Sequence, residues 1–432
     1  MTPIDLMRLD RLVAQLSGKL RAWRLSGRAG DPPELEREAS SLATYQDLRD
    51  TKGDPIALRL VSHVAALTAD RVTLADEVRL AAARRAPSTS EVAPNARVDR
   101  LARDLLDPSG DRLRRLSQLG SIAIASSDAQ RLWVERRREA YRRLGLSDET
   151  EIEHAPLSPP GALALAEAAL RATESAFAEL RGRPLLAVLD RAIGAEAGEG
   201  WPARVTARWV SDVFGRGPLF DGLSFSLARL PDAVGAASFA RALDGAGREL
   251  AARDLPPGVP FCVARDPYDL LEARRGALFA SLVLEPKLHQ KRLGLGSARA
   301  REQARAIARS SVVWVRIAAL RALVADALAK GSAAEVFPEL AERCLGRSLP
   351  RDLAGVFPLT GPRSALDLAA VFAAVRDRAT YREAFDEDWF ENPRAHEALR
   401  HEHHAARPSG RNEPSSLATE AEVDRALAEA LA

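Results

Sequence analysis

Seven histidines, two cysteines and 60 carboxylates are the side chains with which this 432-residue chain could do chemistry. Four histidines fall close together: His396, His401, His403 and His404. His396-Glu397 followed by His401 has the residue types of a zinc helix but not its spacing. Two ring ligands on one helix face need positions i and i+4, and a step of five turns the second ring off that face. His401, His403 and His404 crowd a helix end, where the dipole favours a cation. They could hold adventitious metal, but a structural role is the preferred reading, and no metal or other cofactor is expected. Cys262 and Cys344 are far apart and stand in no metal-type spacing, so reduced, buried thiols of a cytoplasmic protein are expected. No serine occupies a G-x-S-x-G elbow. Gly294-Leu295-Gly296 lies between helical patterns, without the strand–turn–helix context of a phosphate loop. Most carboxylates alternate with arginine at helical spacing, as on solvated helix faces.

The elements that must position these residues read as helices. Hydrophobic residues make up 46% of the chain and charged residues 28%, a globular balance, while aromatics at 5% leave a core of Leu, Ala and Val suited to close helix contacts. A net charge of +2 gives no whole-molecule field for nucleic acid or a membrane surface. All but five of the 62 basic residues are arginines, spread along the chain as coding bias would spread them rather than clustered for phosphate. The basic run Arg136-Arg137-Arg138-Glu139 reads as a solvated helix face. Val312–Leu328, the most apolar stretch, is broken by Arg316, Arg321 and Asp326 and cannot span a bilayer unaided. Met1–Asp5 opens a helix rather than a basic-then-apolar leader, so no secretion signal is expected.

In the first segment Leu9, Leu12, Val13, Leu16, Leu20 and Trp23 recur at helical steps, with Thr2 as cap and Pro3 in the first turn. Asp31-Pro32-Pro33 starts a second helix, and Gly53-Asp54-Pro55 a long third one to about Arg85. Residues 86–94 form a linker. Helical patterns follow at 98–106, 111–119 and 128–144, and after the loop 147–160, which contains His154, at 162–180 and from Pro184. Alternation in 221–230 and at 259–264 marks the two strand candidates, at most one short hairpin or small sheet. Helices resume at 268–284, 297–330, 333–345, 364–385 and 392–404. The Pro/Ser/Gly-rich 407–416 reads as a flexible linker before a closing helix at 417–431. The fold class is therefore mainly α, a large multi-helix body with a central groove. It divides into an N-terminal helical region 1–90, a body 91–405 and a tail 406–432. No repeat of fixed period is present.

From about residue 160 onward the order of segments resembles the helical zinc metallopeptidases of the thimet oligopeptidase and oligoendopeptidase F type. Ser238-Phe239-Ala240-Arg241-Ala242-Leu243-Asp244-Gly245-Ala246-Gly247-Arg248-Glu249-Leu250 is similar to the family's H-E-x-x-H helix. Leu270–Pro286 is similar to the helix that supplies the third ligand, a glutamate. The long Arg301–Lys330 helix and Phe385–Pro393 resemble later parts of the fold. The resemblance puts the first ligand on Asp244, the base on Gly245 and the second ligand on Arg248. The third falls on Ala273, or on Glu272 if the register slips by one. A guanidinium stays protonated and repels a cation. Glycine cannot take a proton from a metal-activated water. The family's downstream His and Tyr are missing too, since neither type occurs between Gln290 and Thr380.

The expectation is thus a non-catalytic, pseudo-enzyme relative of these peptidases that binds a peptide or protein, with no nucleic acid or membrane partner and an oligomeric state left open. Arg248, Arg274 and Arg275 are expected to form a basic floor for an acidic group. The alternative is a helical scaffold of no peptidase ancestry. An enzyme built on scattered carboxylates comes last, because no such cluster is nominated by the residues.

Overall fold

The computed structural model describes residues 5–26, 28, 30–51, 53–84, 112–146, 159–181, 199–202, 205–215, 217, 219–220, 235–253, 258–265, 270–356, 363–409 and 417–431. Among the described residues, sixteen α-helices and several 3-10 turns account for the regular structure, and no strand occurs. The mainly α class read from the sequence is the observed one. In chain order the helices are α1 (Leu6–Leu25), α2 (Leu42–Asp50), α3 (Pro55–Ala83), α4 (Arg112–Arg143), α5 (Pro159–Ala172), α6 (Glu174–Phe177), α7 (Ala207–Phe214), α8 (Ala236–Arg253) and α9 (Phe261–Ala264). There follow α10 (Leu270–Ala280), α11 (Pro286–Leu293), α12 (Ser297–Ala329), α13 (Ala333–Leu345), α14 (Arg363–Phe385), α15 (Pro393–Ser409) and α16 (Glu420–Leu431). No helix is long and apolar enough to cross a membrane among the described residues.

Several boundaries depart from the sequence reading, each for a local reason. Asp5 caps α1 by accepting from the Arg8 N–H at 3.0 Å; Thr2 and Pro3 lie outside the described residues. Asp31-Pro32-Pro33 leads into extended chain rather than a helix, and α2 begins only where the Ser41 hydroxyl accepts from the Thr44 N–H at 3.3 Å. The patterns at 111–119 and 128–144 are one continuous helix, α4, because Gly120 is tolerated within it. The strand expected at 259–264 is a single helical turn, α9. Its first N–H groups, Phe261 and Cys262, donate to the Asp10 carboxylate of α1, each at 2.8 Å. A cap from 251 residues upstream leaves no trace in local alternation. The other strand candidate, 221–230, and the patterns at 98–106 and from Pro184 lie outside the described residues.

Three large apolar clusters, and a small one around Ala273, lie among the described residues. Leu9, Val13, Leu16, Tyr45, Leu60, Val64 and Tyr141 join α1–α4, and Cys262 plugs α9 into the same cluster. An aromatic cluster of Phe214, Phe220, Phe239, Phe279, Trp389 and Phe390 joins α7, α8 and α10 to the turn before α15. The third lies along α12, where Val312, Val313, Leu320 and Val324 meet α5, α13, α14 and α16.

Buried arginines tie the ends of these elements. Arg316, 2% exposed, lies 4.1 Å from the Phe177 ring centroid and donates to the carbonyls of Leu170, Arg343 and Cys344 at 2.7–3.1 Å. Those carbonyls lie in the last turns of α5 and α13, and Leu170 also accepts from the Thr173 hydroxyl at 3.3 Å. One planar fork therefore closes two helix C-termini, although burial pushes its pKa down to about 10. On α3, the buried Asp70 and Glu77 face Arg24 of α1, while Arg137 of α4 also holds Asp70, at 2.7 Å. Arg137, within the basic run read as solvated, is turned inward by this bond. Burial alone would raise both carboxyl pKa values; the guanidinium groups overcome it and hold them below the ordinary range.

Candidate functional site

The two helices singled out by the resemblance cross face to face, and glycine lets them do so. A Cβ on Gly247 of α8 would stand 2.5 Å from the Arg275 carbonyl oxygen and 2.9 Å from Cβ of Phe279 on α10. A Cβ on Gly276 of α10 would stand 2.4 Å from Asp244 Oδ1 and 2.9 Å from Arg248 Cγ. Each helix thus lends a bare backbone to the other at the crossing point. Gly245 is different. A Cβ there would meet nothing within 4 Å, so packing does not demand the absence of a side chain at that position.

Around this crossing the five positions that the resemblance equates with ligands and base separate. Asp244 and Arg248, one turn apart on α8, form an ion pair with Nε donating to Oδ2 at 2.8 Å. Burial works against the Arg248 cation, but the adjacent Asp244 carboxylate raises its pKa on balance, so it stays charged at every ordinary pH. Glu272 is buried on α10 and engages elsewhere: Arg21 of α1 at 3.2 Å and Arg265 at 3.1 Å. Ala273 is fully buried against Leu366 and Ala370 of α14. These residues do not fit a catalytic zinc. One ligand position is a permanent cation, its partner carboxylate is already hydrogen-bonded to that cation, and the third position is a methyl group or a carboxylate held by two other arginines. No group of three or more His, Cys, Asp or Glu converges as a metal site among the described residues.

The expected basic floor is also rearranged. Arg274 is bound by both nitrogens of its fork to Asp377 of α14, at 2.7 and 2.5 Å. Arg275 is buried and donates to the Leu399 carbonyl on α15 at 3.4 Å. Both serve helix packing. Arg248 instead shares its side of α8 with Arg241, whose guanidinium lies 5.9 Å from the Trp314 ring centroid on α12. Two turns further along α12, Arg321 lies 4.0 Å from Asp367 of α14, and Asp367 also acts on Arg248. Arg241, Trp314, Arg321 and Asp367 are the members that sequence reading missed. Seven-residue spacing marks both pairs, Arg241 with Arg248 and Trp314 with Arg321. Nothing in the chain says that the two faces meet.

Among the described residues, His63 and His289 lie on different elements, away from His396 and His401 of α15. His289 is fully buried with Nε2 2.7 Å from the Val283 carbonyl, and burial lowers its pKa, which keeps the ring neutral. His63 Nε2 lies 3.0 Å from the Arg265 carbonyl, and the ring packs against Phe261. His401 is exposed on α15, whereas the side chains of His403 and His404, like His154, lie outside the described residues. Both cysteines are buried free thiols, and burial raises both pKa values, that of Cys344 to about 12. Neither is a nucleophile at neutral pH. No protein-family model, curated protein or solved structure matches the chain.

Proposed function

We propose that this chain is a non-catalytic relative of the helical zinc oligopeptidases, a cytoplasmic protein that holds a peptide or protein segment along the seam between α8 and α12 without cleaving it. One observation carries the reading. The positions equated with two zinc ligands are an Asp244–Arg248 ion pair at 2.8 Å, beside a glycine where the base would stand. Hydrolysis needs an activated water and a proton acceptor. Binding needs only donors and an apolar face held in place, and the half-buried Arg241, Arg248, Arg321 and Trp314 supply both. Incubating the purified chain with a mixture of synthetic peptides, with and without added zinc, tests this by mass spectrometry. Peptides recovered intact, a fraction of them co-eluting with the protein, are expected. Chelator-sensitive cleavage would overturn the reading.

A helical scaffold without peptidase ancestry is the second reading, favoured by one distribution. Among the described residues the exposed large hydrophobics, Met7, Leu42, Leu58, Val72 and Ile124, all lie on α1–α4. That reading places the partner there, so the L58S/V72S double variant would lose association while R321M kept it.

A further inference from the structure

We propose that α16 is an exchangeable helix, and that the strip it covers across α5, α12 and α14 takes the α16 of a second copy of this chain. Neither the positions equated with zinc ligands nor the α8/α12 seam enters into it. The first support is how little of the helix is buried. Of the twelve residues of α16 only Val423 is buried, whereas α13, one residue longer and packed on the same α12, buries Ala333, Phe337, Ala341, Cys344 and Leu345. Val423, Leu427 and Leu431 recur every four residues as one amphipathic row, yet Leu427 and Leu431 stay half-buried. An element with so few buried apolar contacts opens at lower free energy than the helices beneath it.

The second support is where the polar ties lie. The Ala418 N–H donates to the Phe372 carbonyl of α14 at 3.2 Å. Glu420 meets Arg171 of α5 at 2.9 Å and Glu422 meets Arg376 of α14 at 2.7 Å, both pairs open to solvent. Beyond that first turn the side chains of Asp424, Arg425 and Glu429 are exposed and form no hydrogen bond or ion pair with the described residues. Ion pairs this open orient a helix more than they hold it. The third support is that α16 carries its own start. Glu422 Oε2 accepts from the Thr419 N–H at 2.6 Å, and the Thr419 hydroxyl accepts from the Glu422 N–H at 3.3 Å, a reciprocal cap that needs no other element. The seat thus selects charge and row together. Two guanidinium groups take an acidic first turn, and the apolar cluster along α12 takes Val423 and Leu427. The α16 of a second copy presents the same set, and exchange between copies keeps every one of these contacts.

Complementation between two full-length variants tests the exchange. V423D spoils the helix and leaves the seat intact, while R171E/R376E spoils the seat and leaves the helix intact. Mixed at equal concentration, one of them isotope-labelled, they are expected to give a mixed dimer by native mass spectrometry, in excess of its statistical share. Reversing the helix charges as well, in R171E/R376E/E420R/E422R, pairs that chain with itself again and is expected to remove the excess. No excess of mixed dimer from two folded variants would overturn the proposal. So would an excess that survives in the quadruple variant, because the contact would then lie elsewhere. Should a variant fail to fold, hydrogen exchange on the unaltered chain decides. The α16 amides are expected to exchange about 100-fold faster than those at the centre of α12, and equal protection of the two helices would overturn the proposal.

Discussion

At the α8/α10 crossing, alanine in place of two glycines that stand two positions apart on one helix should shift stability in opposite directions. Gly247→Ala would put a methyl group 2.5 Å from the Arg275 carbonyl oxygen, where an ordinary contact is 3.4 Å or longer. Neither neighbour can step aside cheaply, since one is backbone and the other is the Cβ of Phe279. The helices must separate by roughly 0.5–1 Å, enough to forfeit a quarter to a half of the dispersion attraction across the contact. Overpacking of this kind costs about 1–3 kcal/mol, and the helix propensity of alanine returns about 1 kcal/mol of it. The expected net loss is about 0–2 kcal/mol. Gly245→Ala meets nothing within 4 Å and should gain about 0.5–1 kcal/mol from propensity alone. Guanidinium unfolding of both variants beside the wild type, read as midpoint shifts at unchanged slope, measures the contrast. A Gly247→Ala chain as stable as the Gly245→Ala chain would refute the close crossing, and with it the account of how Asp244 and Arg248 are placed.

Other perturbations follow from the buried charges. Arg316→Met should cost about 3–5 kcal/mol in thermal or chemical unfolding, because the Arg343 and Cys344 carbonyls lose the guanidinium and its tie to Leu170 on α5 is broken; Arg316→Lys should not restore it, as one ammonium cannot span both ends. Asp70 and Glu77 have lowered pKa values, so the unfolded chain binds more protons than the folded one in the acid range. Their stabilisation is complete above the ordinary carboxylate values and fades as pH falls from about 5 through the depressed ones, so Asp70→Asn should flatten the acid limb of a midpoint-against-pH curve. Asp10→Ala removes the cap of α9 and should cost about 1–2 kcal/mol, with faster amide exchange confined to Phe261 and Cys262 if the turn alone opens. Cys262 and Cys344 should resist alkylation at neutral pH in the folded chain and react at once in denaturant; rapid labelling of the native protein would contradict their burial.

Regular helices were legible because their signal is local. The period of Leu9, Val13, Leu16 and Leu20 names the face of α1 that is buried, and Asp54-Pro55 marks the start of α3, where the Asp54 carboxylate accepts from Ile56 and Ala57. What escaped was set by distant residues. The α9 turn takes its cap from Asp10, and the Arg137 inward turn comes from Asp70 on another helix. For the candidate site, the two helices that sequence reading pairs do cross face to face, through glycines that it leaves unexplained. It assigns Arg274 and Arg275 to a basic floor because the resemblance sets both beside the third-ligand position. On a helix, neighbours in sequence point about 100° apart, and here one meets Asp377 and the other the Leu399 carbonyl. Arg321 was read only as a charge that breaks an apolar run, and its pairing across to α14 has no local signature.

Zinc titration of the purified chain by isothermal calorimetry, with metal content checked by mass spectrometry, bears most directly on the claim that Asp244 and Arg248 are a salt bridge and not a metal site. The expected result is no stoichiometric zinc uptake, unchanged by Asp244→Asn. Uptake of one zinc per chain, lost in Asp244→Asn and accompanied by peptide hydrolysis, would contradict it.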